Sequence, residues 1–120
     1  MRVEQIGSAT LYLGDCREIV TTLKDIGAVC TDPPYGMEFR SNHRKVKHDA
    51  IANDNTVDLL RWACDLGASH STYCFGRWDN ITDIPPPKSI LTWVKNNWSM
   101  GDLQHEHARQ TEIVFFYPGP

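Results

Sequence analysis

A chain of 120 residues, 41% hydrophobic and 22% charged, has room for one domain of ordinary globular composition and is not a low-complexity polymer. Its formal charge of −3 excludes a global attraction to nucleic acid or anionic membrane, so any such attraction has to be local. No apolar run approaches the roughly 20 residues of a membrane span, "MRVEQIGSAT" lacks the apolar stretch of a signal peptide, and four cysteines with no C-x-x-C pair fit a reducing cytoplasm.

In chain order, "ATLYLGD" reads as a short strand. "CREIVTTLKDIG" reads as a helix, with Ile19, Val20 and Leu23 at helical spacing and Gly27 as the stop. "AVCTD" is a second strand. "TVDLLRWACDLGA" puts Val57, Leu60, Ala63 and Cys64 near one face of a second helix, ended by Gly67, and "HSTYCFG" is a third strand. After Pro85-Pro86-Pro87 come "SILTWVK" and "TEIVFFY", two more runs with strand chemistry. This alternation predicts an α/β fold with a largely parallel sheet. Phe75, Trp62, Trp93, Trp98, Phe115 and Phe116 are expected mostly in the core, with Phe75 closest to a strand end.

Two segments carry no apolar periodicity. Residues 40 to 49, "RSNHRKVKHD", hold Arg40, Arg44, Lys45 and Lys47 and read as a basic loop that is either solvated or in contact with DNA phosphates. Residues 95 to 110 read as a long polar connection broken by Gly101. Within it, His105, Glu106 and His107 offer at most two metal ligands with no evident third, so no metal is expected.

The stretch with most chemistry is "TDPPYG". Asp32 stands at the end of an apolar strand, where ligands of open parallel sheets bind. The rigid pair Pro33-Pro34 follows, then Tyr35, and Gly36 lets the chain turn away. One reading is structural, with Asp capping, prolines stiffening and Tyr packing. The other is chemical: a carboxylate and the Pro33 carbonyl can accept the two N–H bonds of an amine and localise its lone pair, while Tyr35 offers a flat face to a ring.

This motif resembles the catalytic signature of S-adenosylmethionine-dependent DNA amino-methyltransferases, in the Asp-Pro-Pro-Tyr form typical of N6-adenine enzymes. "LYLGDCREIVTTL" is similar to the family's strand, Gly-Asp turn and helix, and "AIANDN", "STYCFG", "ILTWVKNNWSMGD" and "HARQTEIVFFY" resemble its later segments. The resemblance implies a Rossmann-like methyltransferase sheet, with Asp32, Pro33, Pro34 and Tyr35 catalytic, S-adenosylmethionine held by Asp15, Cys16 and Asp32, and an adenine rotated out of DNA and stacked on Tyr35. Stacking of a base on an aromatic ring is worth roughly 1 to 3 kcal/mol, which partly offsets unstacking. It further implies a DNA partner that Arg40, Arg44, Lys45 and Lys47 would meet.

The family's Phe-x-Gly-x-Gly cofactor loop has no counterpart, because no Gly-x-Gly occurs. The expectation is therefore the catalytic half of such a fold, residues 1 to 120 as one partial domain lacking the central cofactor strands, with either its own strands closing the gap or a complementary chain or second copy filling it. A non-catalytic remnant that binds DNA or a partner, and an α/β domain with no ligand, are the alternatives.

Overall fold

The computed structural model describes residues 1–35, 56–99 and 109–120. The basic residues Arg40, Arg44, Lys45 and Lys47, together with Gly36 and the triplet His105, Glu106 and His107, lie outside the described residues.

Strands β1 (Arg2–Ile6) and β2 (Ala9–Leu13) form an antiparallel hairpin with Ile6 opposite Ala9, which leaves Gly7 and Ser8 as a two-residue loop. Gly7 has φ of 59°, the left-handed value that such a tight turn assigns to its first central residue. Across the hairpin the Thr10 hydroxyl donates to Gln5 Oε1 at 2.6 Å. The strand expected at "ATLYL" therefore exists, but in a two-stranded sheet of its own, and it does not close up against "AVCTD". A two-residue loop makes the local pairing far less costly in chain entropy than pairing with a strand beyond residue 28.

The helix expected over "CREIVTTLKDIG" is much shorter. Helix α1 (Cys16–Ile19) makes one turn, a 3-10 turn over Val20–Thr22 follows, and Leu23 is already extended. The Thr21 and Thr22 hydroxyls bond back to the carbonyls of Glu18 and Ile19, each at 2.7 Å. A run of β-branched residues, Val20-Thr21-Thr22, with two threonine hydroxyls competing for backbone acceptors, is a poor helix continuation.

Strands β3 (Val29–Thr31), β4 (Thr72–Gly76), β5 (Ser89–Ser99) and β6 (Arg109–Tyr117) form the main sheet in the order β3-β4-β6-β5. Only β3 and β4 are parallel; β6 runs antiparallel to both β4 and β5. The largely parallel sheet expected from the alternation is thus corrected to a small mixed one. The span between Ser99 and Arg109 is too short for the crossover of a dozen or more residues that a parallel β5–β6 pair needs. Part of the stretch expected as a polar connection, up to Ser99, continues β5 beyond a register shift after Val94.

Helix α2 (Asp58–Asp65) covers one face of this sheet, burying Leu60, Ala63 and Cys64, the face expected from spacing. They pack with Cys74, Ile84, Phe115 and Tyr117, with Trp62 and Ile113 at the margin. Each such large apolar side chain removed from water contributes roughly 1.5–3 kcal/mol. Gly67, in the 3-10 turn Leu66–Ala68, lets that turn sit against β6, since a Cβ there would lie 2.3 Å from Tyr117 Cβ. Strand alternation puts Tyr73, Phe75, Leu91, Trp93 and Phe116 on the opposite face. There Tyr73 and Phe116 have ring centroids 4.9 Å apart, and Phe75 meets Trp93 edge to face at 6.0 Å. Of the aromatics expected in the core, Phe115 is in it, Trp62 borders it, and Trp93 is 51% exposed. The side chain of Trp98 lies outside the described residues.

Candidate functional site

Because β3 and β4 are parallel neighbours with Thr31 opposite Cys74, their carboxyl ends lie side by side. Two loops leave the sheet there: Asp32-Pro33-Pro34-Tyr35 from β3, and the segment from Arg77 into the 3-10 turn Trp78–Thr82 from β4. Asp32 is exposed, and Pro33, Pro34 and Tyr35 are half-buried. Prolines directly after a strand remove two backbone donors, so the chain leaves the ladder at once and does so stiffly.

The Tyr35 hydroxyl donates a hydrogen bond to Asp32 Oδ1, which leaves Asp32 Oδ2 for a further donor. Burial, and then the Asp32 carboxyl beside it, push the Tyr35 phenol well above its ordinary range, so it remains a neutral donor. The backbone carbonyl of Tyr35 accepts from Asn80 Nδ2 at 3.3 Å, and Asn80 Oδ1 accepts from the Arg77 backbone N–H at 2.9 Å. Arg77 in turn pairs with Asp79 at 3.1 Å. Neither Asn80 nor Arg77 stands out in the sequence alone. The available signal was "FGRWDN", a polar cluster just after a strand parallel to the one that carries Asp32.

Asp15 caps α1, accepting from the Arg17 N–H at 2.9 Å, and both its oxygens are gripped by the Arg17 guanidinium at 3.0 and 2.8 Å. Those bonds lower its pKa to about 2. Cys16 beside it is exposed. Asp15 and Cys16 follow β2, whose sheet is separate from the one bearing Asp32. The structure therefore brings Asp32, Pro33, Pro34 and Tyr35 together with Asn80, and leaves Asp15 and Cys16 on the hairpin unit. In the core, the neighbouring Cys64 thiol and burial hold Cys74 well above the ordinary thiol range, so it packs as an inert hydrophobe. Among the described residues no three His, Cys, Asp or Glu side chains gather as a metal site, and no helix is long and apolar enough to cross a membrane.

A small sheet with one parallel pair and an antiparallel extension, covered on one face by α2, defines a mixed α/β fold. No protein-family model matches the chain, and no curated protein does. The fold is similar to that in the crystal structure of an M1.HpyAVI–SAM complex, with a TM-score of 0.54 and 21% identity, over 88% of this chain and 50% of that one. The chain thus spans about half the length of the structure it matches.

Proposed function

We propose that the chain is the amine-binding half of an S-adenosylmethionine-dependent DNA methyltransferase acting on N6 of adenine. The observation that carries this reading is the placement of Asp32-Pro33-Pro34-Tyr35 at the carboxyl end of a strand, Asp32 exposed and Tyr35 turned onto it, in a fold similar to that of a SAM complex.

The exocyclic amine of adenine is a weak nucleophile because its lone pair is delocalised into the ring. Asp32 Oδ2 accepts one N–H bond and the Pro33 carbonyl the other. The nitrogen becomes more tetrahedral, and its lone pair turns toward the methyl carbon. Bound S-adenosylmethionine would supply the methyl group and leave as a neutral thioether, and Asp32 would accept the proton lost from N6. Acceptors held in place before the reaction stabilise the developing charge without having to reorganise, which is where many active sites gain most of their rate. Tyr35 stacks on the extruded base.

S-adenosylmethionine supplies a methyl group bound to a positively charged sulfur. Asp15 fits a role in holding it, since a carboxylate with a pKa of about 2 is ionised at neutral pH and keeps lone pairs beyond those that Arg17 uses. Asp32 is a second acceptor, and Cys16 adjoins the first. DNA is the macromolecular partner, with Arg40, Arg44, Lys45 and Lys47 contacting phosphates near the pocket mouth.

The second reading is a non-catalytic remnant that binds DNA or a complementary chain. Transfer of a labelled methyl group from S-adenosylmethionine to DNA, with the product digested to nucleosides, separates the two. Label in N6-methyladenine supports the enzyme. DNA binding with no label under any condition supports the remnant, and label in N4-methylcytosine overturns the adenine assignment.

A further inference from the structure

We infer that Asn80 is a positioning residue, a clamp that fixes the Asp32–Tyr35 loop against the exit of β4. The inference rests on the amine-binding reading of that loop.

Asn80 is 5% exposed, an unusual place for a residue whose amide needs both donors and acceptors. Its two ends serve two different loops. Oδ1 accepts from Arg77 N–H at 2.9 Å, and Nδ2 donates to the Tyr35 carbonyl at 3.3 Å, across 45 positions of sequence. Among the described residues no buried side-chain polar atom lacks a partner, so this amide is satisfied where it stands. Its polarity is imposed from both sides, since a backbone N–H needs an acceptor and a backbone carbonyl needs a donor.

Holding the Tyr35 carbonyl fixes the peptide plane on the carboxyl side of Tyr35, one residue beyond the rigid Pro33-Pro34 pair. Tyr35 is also bonded to Asp32 through its hydroxyl. One side chain on the neighbouring parallel strand's exit therefore orients the ring that stacks and, through it, the carboxylate that accepts. A purely structural role, capping the turn Trp78–Thr82, needs only the Oδ1 end. Asn80→Asp separates the two, since it keeps an oxygen for Arg77 N–H and removes the donor to Tyr35.

The test uses the full 120-residue chain labelled with 15N-asparagine, 15N-arginine and 13C-carbonyl tyrosine. In the wild type, the Asn80 side-chain N–H protons should exchange with solvent at least about tenfold more slowly than those of an exposed asparagine. In Asn80→Asp the Tyr35 carbonyl resonance should move while the Arg77 amide stays. With duplexes carrying a fluorescent adenine analogue, the extruded-base signal should fall about fivefold or more in the variant, with DNA affinity changed less than about twofold. Free exchange of the Asn80 amide in the wild type, a measurement that needs no variant to fold, overturns the clamp. So does an unmoved Tyr35 carbonyl in Asn80→Asp. A moved carbonyl with undiminished extrusion confines Asn80 to structure and overturns the positioning role. A protected amide in a wild type that extrudes no base supports the clamp and refutes the adenine reading instead.

Discussion

Gly76 closes β4 one residue before Arg77, and replacing it with alanine perturbs the core and the site exit together. A Cβ there would lie 2.4 Å from Phe115 Cε2 and 3.1 Å from Cδ2, so the ring would have to retreat by about 1 Å or more to reach ordinary contact distance. Phe115 has no exposed surface and is held by Leu60, Cys64, Cys74 and Ile84, so it has little room to move. Overpacking of this kind costs roughly 1–3 kcal/mol. Alanine recovers about 0.5–1 kcal/mol by restricting the unfolded chain. The net expectation is a loss centred near about 1 kcal/mol and at most about 2.5 kcal/mol, with each kcal/mol lowering the melting temperature by roughly 3–6 °C for a chain of this size. Urea and thermal unfolding of Gly76→Ala, Phe115→Leu and the double variant would measure it as a cycle. Phe115→Leu alone should destabilise by leaving a cavity, but in the double variant the two losses should overlap by about 1 kcal/mol or more. Stability of Gly76→Ala at or above wild type, or strictly additive losses, would refute the packing argument.

In a form active in methyl transfer, Asp32→Ala should lower turnover by about 10²–10³-fold while DNA affinity stays within a few fold, because the carboxylate acts on the amine as charge develops. Labelled methyl transfer and gel-shift titration check the two halves, and wild-type turnover would remove Asp32 from the chemistry. Neutralising Arg44, Lys45 and Lys47 together should make the slope of log K against log salt shallower by roughly 0.9 per lost phosphate contact, with specific and non-specific duplexes affected alike. An unchanged slope returns the loop to solvent. Asp15, lowered to about 2 by its hydrogen bonds with Arg17, should titrate near pH 2 by carboxyl 13C NMR and shift toward 3.8 in Arg17→Ala. Since the folded value is the depressed one, the stabilisation it brings is present above the unfolded pKa and is lost as pH falls through about 2. A wild-type midpoint near 3.8 would dissolve the pair. Lacking a Gly-x-Gly loop for close backbone approach, the 120 residues alone should bind S-adenosylmethionine weakly or not at all, and micromolar affinity by calorimetry would contradict this.

Local chemistry determined much of this protein. The apolar spacing of Leu60, Ala63 and Cys64 marks the buried face of α2, and the runs around Cys30, Cys74, Leu91 and Phe115 mark four strands, because burial periodicity is written residue by residue. Asp32-Pro33-Pro34-Tyr35 was legible as a stiff strand exit because proline has an unconditional effect on the backbone that carries it. Strand partners were not legible. Whether β2 pairs with β1 or with a distant strand, and whether β6 runs with or against β4, depends on competition between loop-closure entropy and packing among segments far apart in sequence. The same holds for Asn80: its amide has no meaning until β3 and β4 lie parallel and their exits meet, and only the tertiary structure places a donor from residue 80 against the carbonyl of residue 35.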